Sequence, residues 1–298
     1  MLLYLDDAFA NHRTGSHPEC PARIERVNQA LRELDEFHHC EKAEWQEATL
    51  EQIRRNHTRD YVANLEHWCE SEAGRIEADT VVCGASWKTT LRACGAACDA
   101  VRRILKAEHK QAFCALRPPG HHATPHGAMG FCLFNTIAVA AHEALAQGLD
   151  RVMIIDWDVH HGNGTQDSFY EHGQIGFYSI HRSPFYPGTG AESETGSGDG
   201  LGCIANSPVP ADITKKEFFD QFERGIEQIA RKINPQLILL SAGFDAHMKD
   251  PVGGLCMEEE DFAQLTRTTC QLADSYCDGR LVSLLEGGYH LDYLPRCV

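Results

Sequence analysis

Four short stretches hold residues able to do chemistry together: His121-His122, the run from Asp156 to His161, Asp245, and Tyr289. The densest is RVMIIDWDVHHGNG, residues 151 to 164. Its apolar run Val152 to Ile155 gives way to Asp156, Asp158 and His160 at alternate positions, then to Gly-Asn-Gly. Such a run reads as a strand buried on both faces. In extended chain, residues two apart point the same way, so the three polar side chains are expected on one side of the strand end. Carboxylates and imidazoles crowded this closely call for a cation. Asp158, His160 and Asp245 make an O/N/O set that suits zinc with one position left for water or substrate. The set lacks thiolate, so Fe(II) or Mn(II) would fit as well. Around such a metal, which polarises a carbonyl and acidifies a water, a histidine takes the water's proton and later protonates the leaving group. Tyr289, following Gly287-Gly288, can donate its hydroxyl to the developing oxyanion. That assembly hydrolyses an amide.

Each of these stretches follows an apolar run that reads as a strand. The runs are Ala112 to Leu116 (then Arg117-Pro118-Pro119-Gly120), Val152 to Ile155, Leu237 to Leu240 and Leu281 to Leu285. Met1 to Leu5 reads as a first short strand, and Ile175 to Ile180 as another that enters a Gly/Pro/Ser-rich loop, 183 to 202. Helices are expected from the 11–23 loop to about Leu34, after Thr58 to about Cys69, and from a Ser86 cap along Leu91, Cys94, Cys98, Val101 and Leu105. Further helices start at Asn135, closing at Gly148, and at a Thr214/Glu217 capping box before Phe218, Phe222, Ile226 and Ile229. One more carries Phe262, Leu265, Thr269, Leu272 and Tyr276. Residues 70 to 85 read as loop. Strands alternate with helices from residue 86 onward with no linker or repeat, which predicts one α/β domain over residues 1 to 298: a mostly parallel sheet with helices on both faces. In that arrangement the four site loops open on the same edge of the sheet.

Composition bounds the partners. The 298 residues are 43% hydrophobic and 23% charged, as in a soluble globular protein. A net charge of −16 without a Lys/Arg cluster argues against nucleic acid and would steer a cationic substrate inward. Thirteen cysteines, an odd number without a C-x-x-C, read as reduced core thiols. Only five residues precede Asp6-Asp7, too few for a signal peptide, and no apolar stretch is long enough to span a membrane. A cytoplasmic location is expected.

RPPGHHA, GFCLFN, DWDVHHGNGTQ, SAGFDAH and LEGGY, in this order, resemble the histone deacetylase family within the arginase-deacetylase fold. The resemblance runs from the HPECPARI loop at His17 through Tyr289, and Trp157 and Asn163 lend it class II character. It implies a sheet of about eight strands and a zinc held by Asp158, His160 and Asp245. It makes His122 the general base and acid, His121 its electrostatic partner, Tyr289 the oxyanion donor and Asp156 the residue that orients His121. It also implies potassium bound by oxygens of Asp156, Asp158, His160, Ser179 and Ile180. Phe131 and Tyr186, with Gly130, would line an acyl-lysine tunnel, Arg23 an acetate exit channel, and His17 would stand at the rim. His161 is expected beside the ligand set, not within it.

The expected reaction is hydrolysis of N-acetyl-lysine, on a protein or peptide, to acetate and free amine. An acetylpolyamine or other small acetyl-amine hydrolase is the alternative. Val252, seven residues past Asp245, stands where the polyamine-selective relative carries a glutamate, which tilts the reading toward acyl-lysine. SAGFD offers a single carboxylate where a two-manganese ureohydrolase wants Asp-x-Asp. A silent acyl-lysine binding module should have lost a ligand, a histidine of the pair or Tyr289, and all are present. Nine residues follow Tyr289 where the family continues into another helix, so homo-oligomerisation is expected to cover the gap.

Overall fold

The computed structural model describes residues 1–298. Its strands are β1 (Leu2–Tyr4), β2 (Glu41–Lys42), β3 (Gly74–Arg75), β4 (Val81–Val82), β5 (Gln111–Cys114), β6 (Val152–Asp156), β7 (Ile175–Arg182), β8 (Ile204–Val209), β9 (Leu237–Ala242) and β10 (Leu281–Leu285). Its helices are α1 (Pro21–Glu33), α2 (Leu50–Arg54), α3 (Arg59–Glu70), α4 (Ser86–Leu105), α5 (Thr136–Ala146), α6 (Asn163–Phe169), α7 (Lys215–Ile233), α8 (Glu259–Cys277) and α9 (Leu294–Cys297). Eight strands form one sheet in the order β2-β1-β5-β10-β9-β6-β7-β8, every pairing parallel; β3 and β4 make a separate antiparallel pair.

The central strands β10, β9 and β6 are built on apolar runs. Every residue of β6 (VMIID) and β9 (LILLSA) is buried, as strands covered on both faces must be. Helices cover both faces. Along β7, Gly176 and Tyr178 lie against Ile229, Ile233 and Gly225 of α7, while Phe177 between them faces the His161 side. A second, smaller apolar cluster joins α2, α3 and α4 to Leu133 and Phe134 beneath the Pro-Pro-Gly loop. No helix is long and apolar enough to cross a membrane.

Several helix starts follow the sequence. Thr58 accepts from Tyr61 N, Asn135 from Ala138 N, and Thr214 with Glu217 closes a reciprocal capping box. Ser86 differs. It is the first helical residue, behind Ala85, because its hydroxyl turns back to accept from Cys83 N (2.9 Å) and to meet His12 Nδ1 (2.6 Å). The 70–85 stretch, expected as loop, contains the β3/β4 pair. The edge strands β2 and β8 lack the continuous apolar run that marks the inner strands in the sequence. Tyr276 sits at the margin of its helix face and hydrogen-bonds Glu227 (2.9 Å). After Tyr289 the chain turns into α9, and Cys297 and Val298 line an apolar cavity of about 260 Å³ together with Leu3, Leu31, Phe113 and Leu240.

Candidate active site

The ends of β5, β6, β9 and β10 place their loops along one edge of the sheet, and the polar residues converge there. β6 stops at Asp156, and the chain does not continue extended as expected. Each acid instead accepts the backbone N–H two residues on: Asp158 N donates to Asp156 Oδ1 and His160 N to Asp158 Oδ1, both at 3.0 Å. These Asx turns curl the loop, so Asp158 and His160 meet Asp245 from β9 by turning, not by strand alternation. His160 Nδ1 lies 3.1 Å from both Asp158 Oδ1 and Asp245 Oδ2. All three residues are buried, and one ligand atom from each lies within 4.8 Å of the others. The remaining carboxylate oxygens are oriented by backbone: Asp245 Oδ1 accepts from Val159 N (3.0 Å), and Asp158 Oδ2 from Gly287 N (2.9 Å).

The donor set fits a divalent metal on charge as well as position. Burial, with Asp158 beside it, pushes the Asp245 carboxyl up to about 7. Burial alone would raise Asp158 too, but His121 and His160 outweigh it and hold that carboxyl below its ordinary range. Burial disfavours a charged His160, yet the two carboxylates override this and raise it to about 10. An imidazolium held between two buried carboxylates marks a position suited to a cation, whose charge would replace the imidazole proton.

Beside this triad the His121 and His122 rings stand 4.0 Å apart, centroid to centroid. His121 Nδ1 pairs with Asp156 Oδ2 at 2.9 Å and His122 Nδ1 with Asn163 Oδ1 at 2.7 Å. The partners set opposite protonation. Burial opposes charge on both, but Asp156 and Asp158 hold His121 well above its ordinary value, whereas burial and the cationic neighbours His121 and His160 push His122 well below. The amide oxygen of Asn163 accepts the His122 Nδ1 proton while its Nδ2 faces the Met129 sulfur (3.4 Å), which leaves Nε2 with its lone pair. The residue that holds this loop is not evident from the sequence motifs. Glu286 accepts from Gly120 N (2.6 Å) and His121 N (3.2 Å), and from the Ser241 hydroxyl (3.0 Å). Its signal was an ionisable residue ending a buried strand.

A cavity of about 220 Å³ descends to this centre, lined by Asp79, His122, Gly130, Phe131, His160, Phe185, Tyr186, Val252 and Tyr289. Phe131, Tyr186 and Gly130 are therefore in its wall. Phe131 holds a left-handed φ of +70°, with its N–H on Thr80 Oγ1 (3.1 Å), and its ring meets Tyr289 edge-on at 5.6 Å. Such strain in a non-glycine residue is found where surroundings enforce it, often at binding sites. Phe185, unremarked in the sequence, stacks on the His160 ring at 5.1 Å, and Arg182 lies over Phe185 at 4.3 Å.

Other expected residues stand outside the cavity wall. His17 packs its ring behind Phe131 (4.5 Å) and contacts Asp79 O at 3.1 Å. Arg23 is buried behind Tyr289, its guanidinium 4.7 Å from the ring, donating to Gly288 O (2.5 Å), Glu286 O (2.6 Å) and Glu19 (3.0 Å). Glu19 also accepts from Arg117 (2.6 Å), so two buried arginines share one carboxylate. Ser179, the register partner of Asp156, and Ile180 are buried on β7, with Ser179 Oγ 2.9 Å from His181 Nδ1. His161 stands aside from the triad, bound to Thr189 (2.7 Å) and Gln166 (3.1 Å).

Four glycines make room for these groups. A Cβ at Gly162 would lie 2.2 Å from Asp156 Oδ2, at Gly243 2.1 Å from Asp158 Oδ2, and at Gly130 2.5 Å from the His122 ring. At Gly287 it would lie 2.2 Å from Asp245 Oδ2 and 2.4 Å from Asp158 Oδ2.

Residues 17–298 match the histone deacetylase domain family. A probable deacetylase of Archaeoglobus fulgidus is 36% identical over 98% of this chain and 81% of its own length. Histone deacetylase 14, chloroplastic, of Arabidopsis thaliana is 38% identical over the whole of this chain and 74% of its own. The crystal structure of the HDA15 HD domain superposes with a TM-score of 0.92 at 32% identity, covering all of this chain and 88% of that one. Sheet order, site and relatives agree: this chain belongs to the histone deacetylase family, with the arginase-deacetylase fold.

Proposed function

We propose that the chain is a zinc-dependent deacetylase of class II type that hydrolyses N-acetyl-lysine on a protein or peptide to acetate and free amine. The carrying observation is the convergence of the Asp158/His160/Asp245 triad, the His121-His122 pair and Tyr289 at the end of one narrow cavity. Asp158, His160 and Asp245 would hold zinc, which when bound would supply Lewis acidity to the amide carbonyl and to a water; Fe(II) would serve the same role. His122, held neutral with Nε2 free, takes the water's proton and passes it to the leaving amine. His121, kept cationic by Asp156, stabilises the negative charge that gathers beside it. The Tyr289 hydroxyl donates to the carbonyl oxygen as it becomes an oxyanion. Phe131 and Tyr186 flank the methylenes of the side chain, and Gly130 leaves space beside His122. The class II reading rests on Trp157 and Asn163. Potassium at the Asp156, Asp158, His160, Ser179 and Ile180 oxygens would brace the β6 end against β7, where Asp156 and Ser179 are partners.

Asp79 in the cavity wall and the net charge of −16 favour a cationic substrate, which keeps acetylpolyamines as a second reading. Zinc-loaded protein offered an acetyl-lysine peptide, or N-acetylated putrescine and spermidine, separates the two. We expect the peptide to be turned over faster. A strong preference for polyamines would keep the residue roles and overturn the substrate, and turnover of neither would overturn the deacetylase reading.

The amide at position 163 gives a second expected result. Asn163→Asp places a carboxylate on His122 Nδ1 and raises that imidazole's pKa. Because the base must be neutral to act, the acidic limb of the kcat/KM profile should move to higher pH. An unmoved limb would count against His122 as the base.

A further inference from the structure

We propose that Asp250 is a positioning residue for Tyr289, tying the loop after the metal ligand Asp245 to the tyrosine that stabilises the oxyanion. The inference rests on the reaction proposed above. Asp250 lies outside the cavity, half-buried, and its carboxylate accepts four backbone N–H groups. Oδ1 takes Val252 N at 2.9 Å and Gly253 N at 3.0 Å, both in its own loop. Oδ2 takes Tyr289 N at 2.6 Å and His290 N at 3.2 Å, across 39 and 40 residues.

An acid that served only to close its own loop would need the first pair alone. The second pair reaches the tyrosine's own backbone, directly after Gly288. Gly288 has a φ of +117°, a conformation that L side chains rarely adopt, so the chain enters Tyr289 through a turn built on glycine. Two charged side chains hold the segment. The Arg23 guanidinium donates to the carbonyls of Glu286 and Gly288, and Asp250 accepts from the amides of Tyr289 and His290. Hydrogen bonds to ionised groups are about twice as strong as neutral ones, so these are the bonds best able to hold the backbone in one place. An oxyanion donor works by being in position before charge develops, and a displacement of about 1 Å at such a group can cost 10²-fold in rate. The same carboxylate accepts from Val252 N, and Val252 is part of the cavity wall, so a piece of that wall and the tyrosine are held by one group.

The test is a double-mutant cycle of Asp250→Ala and Tyr289→Phe on the zinc-loaded enzyme with the better of the two acetyl substrates. Asp250→Ala is expected to lower kcat about 10- to 100-fold with KM changed only a few-fold. In the Tyr289→Phe background, where the hydroxyl is already gone, it should cost less than about twofold more. Equal losses in both backgrounds would make Asp250 a stability residue and overturn the inference, as would unchanged kcat in the single variant. A Tyr289→Phe enzyme as active as the parent would instead overturn the catalytic reading itself, a distinct result. Should Asp250→Ala fail to fold, Asp250→Asn, which keeps one acceptor oxygen, is taken round the same cycle with the same criteria.

Discussion

Tyr289→Phe is expected to lower kcat 10²- to 10³-fold, the usual cost of removing one oxyanion donor, with little change in KM. The substitution removes one oxygen and leaves the ring, which is what the surrounding structure packs against. Arg23 lies over its face and Phe131 meets it edge-on, and neither contact uses the hydroxyl. Thermal stability and zinc content should therefore match the parent. The hydroxyl stays protonated, since burial raises it well above the ordinary tyrosine value despite Arg23 nearby. It is thus a donor across the working pH range. A rise in KM with kcat unchanged would assign Tyr289 to substrate binding alone.

Asp245→Asn should separate stability from activity. The carboxyl is held near 7 by burial and by Asp158, against an ordinary value of 3.8. Between those values the metal-free folded chain keeps a proton that the unfolded chain has released. Its stability therefore falls as pH rises through that window. Asn keeps the acceptor for Val159 N but removes the ionisation, so the metal-free variant should melt higher than metal-free parent at pH 7.5 and vary less between pH 4 and 7. Zinc affinity should fall by more than the roughly 10- to 100-fold typical of losing a residue that merely supports a ligand, and turnover should vanish. Calorimetry with and without chelator, beside metal analysis, checks both halves. Equal melting temperatures for the two metal-free proteins at pH 7.5 would show that Asp245 is not under strain.

The parts of this site that the sequence shows plainly are those that follow buried strands. VMIID, LILLSA and LVSLL announce themselves by apolar runs, and the polar residues just past them must lie at the sheet's carboxyl edge. Edge strands carry no such mark. β8 reads IANSPV, with Pro208 tolerated because one side of that strand has no neighbour to pair with, and β2 is two charged residues. Contacts across long separations were also hidden. Arg117 read as part of a turn, yet it is buried against Glu19, 98 residues away. Asp250 and Glu286 act on backbone N–H groups, which exist at every non-proline residue and leave no trace in side-chain type. The alternation Asp156-Asp158-His160 was legible as a site, but its geometry was misread because Asx turns replace the strand after Asp156.

The glycines at 130, 162, 243 and 287 bear on how activity can be lost during divergence. Each is excluded from carrying a Cβ by a carboxylate or imidazole of the centre, and none contributes an atom that a ligand list would record. A homologue could therefore retain every acid, histidine and tyrosine and still be inert, because one alanine at the position of Gly243 or Gly287 would displace the carboxylates by more than the site can absorb. Sorting active from silent members of such a lineage by their polar residues would miss these cases. The empty spaces are as much a part of the centre as its ligands, and a single methyl group is enough to fill one.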